Sequence, residues 1–237
     1  MSGIVAIAGT LVLLLAAGAL IAAGDRKGFS AGWLLIAAIL VLVNDVLLTR
    51  FYGLMPDLVG GVWNWQGKGL ALLATLAIVA LPCFDRREAG FTIAPATGSL
   101  VAALPVALAY CTFFTFLALI FPNEPATGED VAFQLTMPSL EEEMFYRGTL
   151  LYALDRAFAG RLKFLGVEWS WGALLSCVLF GMAHAFGFAD ESFSLDLSTM
   201  ALTAVPAFIA VWLRLRTGSL ILPIVLHSFG NAIFLIL

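Results

Sequence analysis

"SLEEEMFYRG", Ser139–Gly148, places three consecutive carboxylates and an arginine in a stretch whose flanks are almost entirely apolar. In a soluble protein it reads as an acidic helix start. Pro138 closes the preceding segment, and Ser139 with Glu142 fits the Ser-x-x-Glu capping box. Carboxylates also suit the positive end of the helix dipole, and Glu141 needs no other explanation. In a membrane protein the same residues are charges carried into a span. There, one ionised side chain at the span centre costs about 2.5–3.5 kcal/mol on an insertion scale. The rest of the chain decides between the two.

Of 237 residues, 62% are hydrophobic and only 12% charged, with a mean hydropathy of +1.01. Soluble domains are nearer half apolar and a quarter charged. The balance is that of a multi-pass membrane protein whose first partner is the lipid bilayer. A net charge of −4 with no basic tract excludes a nucleic-acid partner. Eight apolar stretches are long enough to cross: 4–23, 31–49, 68–84, 99–121, 139–157, 170–188, 198–215 and 219–237. Turn signals separate them at 23–28, 52–57, 122–130 and 216–219. The first stretch is longer than a signal-peptide core and its basic residues, Arg26 and Lys27, follow it, so it reads as an uncleaved span.

The expected fold is therefore all-α, about eight transmembrane helices in one bundle forming a single domain over 1–237. Helices are the natural choice because each satisfies its own backbone hydrogen bonds in lipid. Cys83, Cys111 and Cys177 are odd in number and widely spaced, which reads as small buried hydrophobes rather than a disulfide framework. Trp63, Trp65, Trp169 and Trp171 flank spans, as interfacial anchors do. The run "CTFFTF", 111–116, reads as lipid-facing or packing surface.

Loop charges orient the bundle. Nine of the twelve basic residues fall in the connections after spans 1, 3, 5 and 7, while Asp57, Glu124, Glu129, Asp130, Asp190, Glu191 and Asp196 collect in the others. The basic loops are expected to be cytoplasmic and both termini outside. The connection 156–168 interleaves basic residues with Phe158, Phe164 and Leu165, and reads equally as an amphipathic segment on the inner surface or as a solvated loop.

Polar groups within spans form three clusters. Span 5 opens with Glu141, Glu142 and Glu143, followed by Tyr146 and Arg147; span 6 ends with His184; span 8 holds His227 and Asn231. The two histidines are the only ones in the chain. Glu143 and Arg147, Glu142 and Tyr146, and His227 and Asn231 are each four apart, so each pair shares a helix face. Span 5, over 139–157, enters from the outside and places the glutamates about one turn in, so all three clusters can converge in the outer half of the bilayer if the helices are neighbours. Asn44 and Asp45 in span 2 are read as structural, with Arg50 as one partner for Asp45.

"EEMFYR" (142–147), "FGMAH" (180–184) and "HSFGN" (227–231) fit the patterns EExxxR, FxxxH and HxxxN in that order. Together they resemble the CPBP family of intramembrane proteases, which includes the Ras-converting CAAX endopeptidase and bacterial proteins linked to bacteriocin processing or immunity. The resemblance covers 139–237 and implies a multi-pass protein of a bacterial or archaeal cell membrane. It also implies a glutamate-dependent peptidase acting on a membrane-associated protein or peptide, with no cofactor. Glu142 would activate a water, helped by His184. His227 and Asn231 would form the oxyanion hole, and Glu143 with Arg147 would fix the helix, Tyr146 supporting.

Three other chemistries share these residues. Two histidines and a glutamate are also a zinc donor set. A buried Glu/His network also suits a transporter or scaffold. Cys177, seven residues before His184, would allow a Cys/His dyad. A CAAX endopeptidase acts on cytoplasmic prenylated tails, whereas the loop charges place this site toward the outer face. The charge assignment is kept, and a substrate other than a prenylated tail is expected.

Overall fold

A computed structural model describes residues 2–121 and 126–237; Glu124 and the turn signal at 122–125 lie outside the described residues. The chain is mostly helical. In order it forms α1 (Ser2–Gly24), α2 (Ala31–Thr49), a 3-10 turn (Phe51–Leu54), α3 (Trp65–Val79), α4 (Leu100–Ile120) and α5 (Gly128–Glu142). A π-helical stretch, Glu143–Leu150, then leads into α6 (Leu151–Ala157), so 128–157 is one continuous helix. Strands β1 (Arg161–Phe164) and β2 (Val167–Ser170) precede α7 (Trp171–Ala185), and β3 (Phe186–Ala189) and β4 (Ser192–Leu195) follow it. The chain closes with α8 (Leu197–Thr217) and α9 (Ile221–Ile236).

Counting 128–157 once, eight helices among the described residues fall where the sequence has eight apolar stretches. Four of them, α1, α2, α4 and α8, are long and apolar enough to cross a membrane by length and composition; α3, α7 and α9 are shorter apolar helices. The inward face of α2 follows helical periodicity through Leu34, Ala37, Val41 and Asn44, so the same stripe that seats α2 on the core aims its asparagine inward. The core joins α2, the π-helical stretch, α6, α7 and α8 through Leu34, Leu150, Leu154, Cys177 and Val211. At Gly172, α7 lies against the α6 backbone so closely that a Cβ there would sit 2.6 Å from the Leu154 carbonyl carbon. Small residues permit such close approaches between helices.

Several expectations are corrected. The fifth helix does not start at Ser139. It starts at Gly128, where Thr127 and Asp130 form the reciprocal capping box, and Pro138 and Ser139 are interior. Ser139 Oγ bonds the Thr136 carbonyl (3.0 Å) and Ser228 Oγ (2.7 Å) instead of capping. Glu142 is therefore roughly 21 Å from the start of its helix, at 1.5 Å per residue, near the middle rather than one turn in.

The fold is not purely α either. Connection 156–168, read as an amphipathic segment or a loop, carries most of a hairpin pairing Leu162 with Trp169 and Lys163 with Glu168. Leu165 and Gly166 both have positive φ, as a two-residue hairpin turn matched to strand twist requires. A second hairpin, turned at Asp190 and Glu191, links α7 to α8. Cys83 is exposed and Cys111 half-buried, leaving only Cys177 in the core. Trp63 and Trp65 are more than anchors: their indole nitrogens donate to Asp130 (2.6 Å) and Glu129 (3.1 Å), and both rings pack on Phe133. They tie the loop before α3 onto α5. In "CTFFTF", Phe113 and Phe116 are exposed while Phe114 stacks on Tyr110.

Candidate active site

Successive side chains leave a helix about 100° apart, so three consecutive glutamates must point three ways. Glu141 turns toward α2 and α3, accepting hydrogen bonds from Asn44 Nδ2 (2.7 Å) and Lys68 Nζ (2.7 Å). Glu142 turns into a cavity, one oxygen held by Lys68 Nζ at 2.6 Å. Glu143 turns toward α9, where its Oε1 lies 2.7 Å from His227 Nδ1 and 3.2 Å from Arg147 Nη1. Glu141, Glu143 and Arg147 are essentially inaccessible. The π-helical stretch begins at Glu143, and a local widening of this kind frequently marks a functional segment.

The second oxygen of Glu142, Oε2, faces both imidazoles: His227 Nε2 at 3.7 Å and His184 Nε2 at 4.0 Å. These separations are too long for direct hydrogen bonds and suit a bridging water. Each ring is oriented from its far side. His184 Nδ1 sits 2.9 Å from the Phe180 carbonyl one turn back on α7, and His227 Nδ1 faces Glu143. A proton on Nδ1 donating to these oxygens leaves each Nε2 directed at Glu142.

Phe180 is the aromatic hub. Arg147 stacks its guanidinium 4.1 Å from the ring centroid, His184 lies 4.8 Å from it and Tyr146 meets it edge-on. Tyr146 is buried behind the cavity, and its backbone carbonyl accepts from Ser176 Oγ (2.7 Å), so it braces the helix from the side away from the cavity.

The cavity has a volume of about 370 Å³ and is lined by Glu142, Glu143, Arg147, His184, His227 and Asn231 together with apolar side chains. Pro223, His227 and Asn231 share one face of α9, at four-residue intervals, and all three line it. The Asn231 side chain forms no hydrogen bond to another described residue. Glu143 Oε2 and Arg147 Nε and Nη1 are buried with no hydrogen-bond partner among the described residues. Opposite α9, Tyr110 of α4 comes close because Gly230 has no side chain; a Cβ there would lie 2.8 Å from the tyrosine oxygen.

All four residues read from the sequence as catalytic therefore meet in one cavity, with Glu143 and Arg147 beside them. Cys177 is fully buried and does not line it. Among the described residues no group of three or more His, Cys, Asp or Glu side chains is arranged to hold a metal ion.

Glu141 needs more than the helix dipole: it is buried between Asn44 and Lys68. Asn44 thus serves the cluster, while its neighbour Asp45 pairs with Arg50. Lys68 is not among the residues that the sequence motifs single out. The available signal was its place as a lone lysine at the head of the apolar stretch 68–84.

Neither the curated proteins nor the solved structures compared with this chain include a match. Residues 130–233, which hold the three carboxylates, both histidines and Asn231, match the family described as type II CAAX prenyl endopeptidase Rce1-like. Over that segment the chain is similar to the CPBP family of membrane proteases.

Proposed function

We propose that this chain is an intramembrane endopeptidase in which Glu142 activates a water against a peptide carbonyl. The observation that carries the reading is Glu142 Oε2 facing the Nε2 atoms of His184 and His227 across one cavity, at 4.0 and 3.7 Å. A water held there gives its proton to Glu142 as its oxygen bonds to the carbonyl carbon. The same proton passes to the departing amine as the C–N bond breaks. A positioned general base contributes about 10²–10⁴ in rate.

His184 holds the water. The Asn231 carboxamide, which has no hydrogen bond among the described residues, and His227 Nε2, when that ring carries both protons, donate to the oxyanion. One such donor is worth about 3–4 kcal/mol in a water-excluded site. Glu143 holds His227 in place, and Arg147 holds Glu143.

All eight helices cross the membrane in this reading, with the basic loops cytoplasmic. The cavity borders Trp63, on the side of the acidic loops, and its walls include Phe133, Leu202, Ile209 and Leu226. A membrane-associated protein or peptide reaching it from the outer leaflet is the substrate this favours. The family match favours a second substrate, a prenylated tail.

The test is cleavage of a membrane-peptide library, with prenylated and unprenylated members, by purified protein in vesicles. Wild type is set against Glu142→Gln, each with and without a chelator. Cleavage that survives chelation and disappears in Glu142→Gln is the expected result. Loss on chelation would assign the water to a metal held by the same residues. A Glu142→Gln protein that still cleaves would remove the glutamate from the chemistry. Wild type that cleaves no member would favour a transporter or scaffold.

A further inference from the structure

Lys68 lies outside the segment that matches the family, yet its ammonium is 2.6 Å from Glu142 Oε1 and 2.7 Å from Glu141 Oε2. Its side chain is largely buried and lines the cavity, and Glu141 is anchored from behind by Asn44. Taking the peptidase reading as given, we infer that Lys68 is a positioning residue for the Glu142 base, the counter-charge that Glu141 and Glu142 share.

The charges show why one is needed. Five charged or titratable groups face Glu142: Lys68 from α3, Glu141 and Glu143 from its own helix, His184 from α7 and His227 from α9. Arg147 is committed to Glu143, the Tyr110 hydroxyl enters from α4, and α8 lines the cavity with uncharged side chains. Among the described residues, Lys68 is thus the permanent cation available to the 141–142 pair. Two adjacent carboxylates in a low-dielectric site cannot both stay ionised without one. Lys68 keeps the pair charged, and by gripping Oε1 it turns Oε2 toward the histidines. The base is then built from both halves of the chain: α5 supplies the carboxylate, while α2 and α3 supply the clamp.

The experiment is the pH dependence of kcat/KM for wild type, Lys68→Arg, Lys68→Met and the double variant Lys68→Met/Glu141→Gln. Lys68→Met is expected to lose about a hundredfold at neutral pH, the scale of a general base left protonated. Its acidic limb should move to higher pH, because the proton now shared by Glu141 and Glu142 must be removed before Glu142 can act. Lys68→Arg keeps the cation and should recover most of the loss. The double variant removes one carboxylate with its cation, and should bring the acidic limb back toward wild type.

A Lys68→Met profile that is merely scaled down, or a double variant no better than the single, would overturn the assignment. The infrared spectrum of each purified protein gives a readout independent of activity. A protonated carboxyl band should appear in Lys68→Met and be missing from wild type and the double variant. Its absence from Lys68→Met would refute the counter-charge even if no substrate is cleaved. A band behaving as expected, with no cleavage by wild type, would instead count against the peptidase reading alone. If Lys68→Met does not fold, Lys68→Arg and the double variant carry the test.

Discussion

Helix α1 and the helix spanning 128–157 obey opposite rules within one molecule. Over 23 residues α1 carries no charge and buries only Leu14 and Gly18. The other helix buries nearly every side chain from Ser139 to Leu154, including three carboxylates and a guanidinium. In water the charged helix would face out and the apolar one in. In lipid the relation reverses, because hydrocarbon solvates leucine and not glutamate. The apolar surface of α1 is therefore ordinary for a span, and a charge inside the protein marks something held there by partners. The partners are specific: Glu143 has Arg147 and His227, Glu141 has Asn44 and Lys68, and Glu142 has Lys68 on one oxygen only.

The sharpest way to break this contrast is to leave one buried charge alone. Arg147→Met strands Glu143 and should destabilise the protein by about 3–5 kcal/mol, the usual cost of removing one partner of a buried pair. The double variant Arg147→Met/Glu143→Gln should recover much of that loss. Thermal unfolding in detergent measures both. A single variant as stable as wild type would show that the pair is not what holds the helix.

Next is a change to a half-buried polar side chain with no hydrogen-bond partner among the described residues. Asn231→Ala should lower kcat about 10²–10³-fold with little change in KM, because the proposed mechanism spends its donors on the oxyanion and not on the fold. A loss of stability comparable to that of Arg147→Met would contradict this division of labour.

Outside the membrane-spanning segments the effects are smaller and follow ordinary aqueous rules. Asp196 caps α8, and hydrogen bonds from the Thr199 side chain and from the backbone amides of Thr199 and Ser198 hold its carboxyl below the usual carboxylate range. The folded value is the lower one, so the stabilisation is present above the unfolded value, about 3.9 for an Asp. It is lost as pH falls through the folded value. Unfolding followed through this range should show a small acid-side loss in wild type that is absent from Asp196→Asn. The smallest effect belongs to α1. Leu20 is 76% exposed, and Leu20→Ala should change stability by less than about 0.5 kcal/mol, since lipid meets either side chain.

The same contrast explains what the sequence disclosed. Hydropathy located the helices because each span must satisfy the membrane along its own length. The motif spacings brought His227 and Asn231 onto one face because four residues is one helical turn. The start of the fifth helix was hidden by a decoy: Pro138 and Ser139 imitate an N-terminus, while the working cap, Thr127 and Asp130, sits in a stretch that reads as a turn. The first hairpin leaves only a short signal: "RLKF" and "VEWS" alternate with period two, but four residues each do not separate a strand from a basic-aromatic loop. The contacts of Lys68 and Asn44 are hidden for a different reason. Their partner, Glu141, lies 73 and 97 residues away, and no local pattern records a contact across helices.

Three adjacent glutamates offer the most direct test of the central claim, because the geometry gives each a different job. The measurement is kcat/KM at neutral pH for Glu141→Gln, Glu142→Gln and Glu143→Gln, each checked for folding, on one peptide that wild type cleaves. Loss of about 10³-fold or more is expected for Glu142→Gln, toward the upper end for a general base. Glu141→Gln, which leaves Lys68 paired with Glu142, should keep most activity, and Glu143→Gln, which loosens His227, should fall between. Retained activity in Glu142→Gln, or a complete loss in Glu141→Gln with Glu142→Gln still active, would contradict the account.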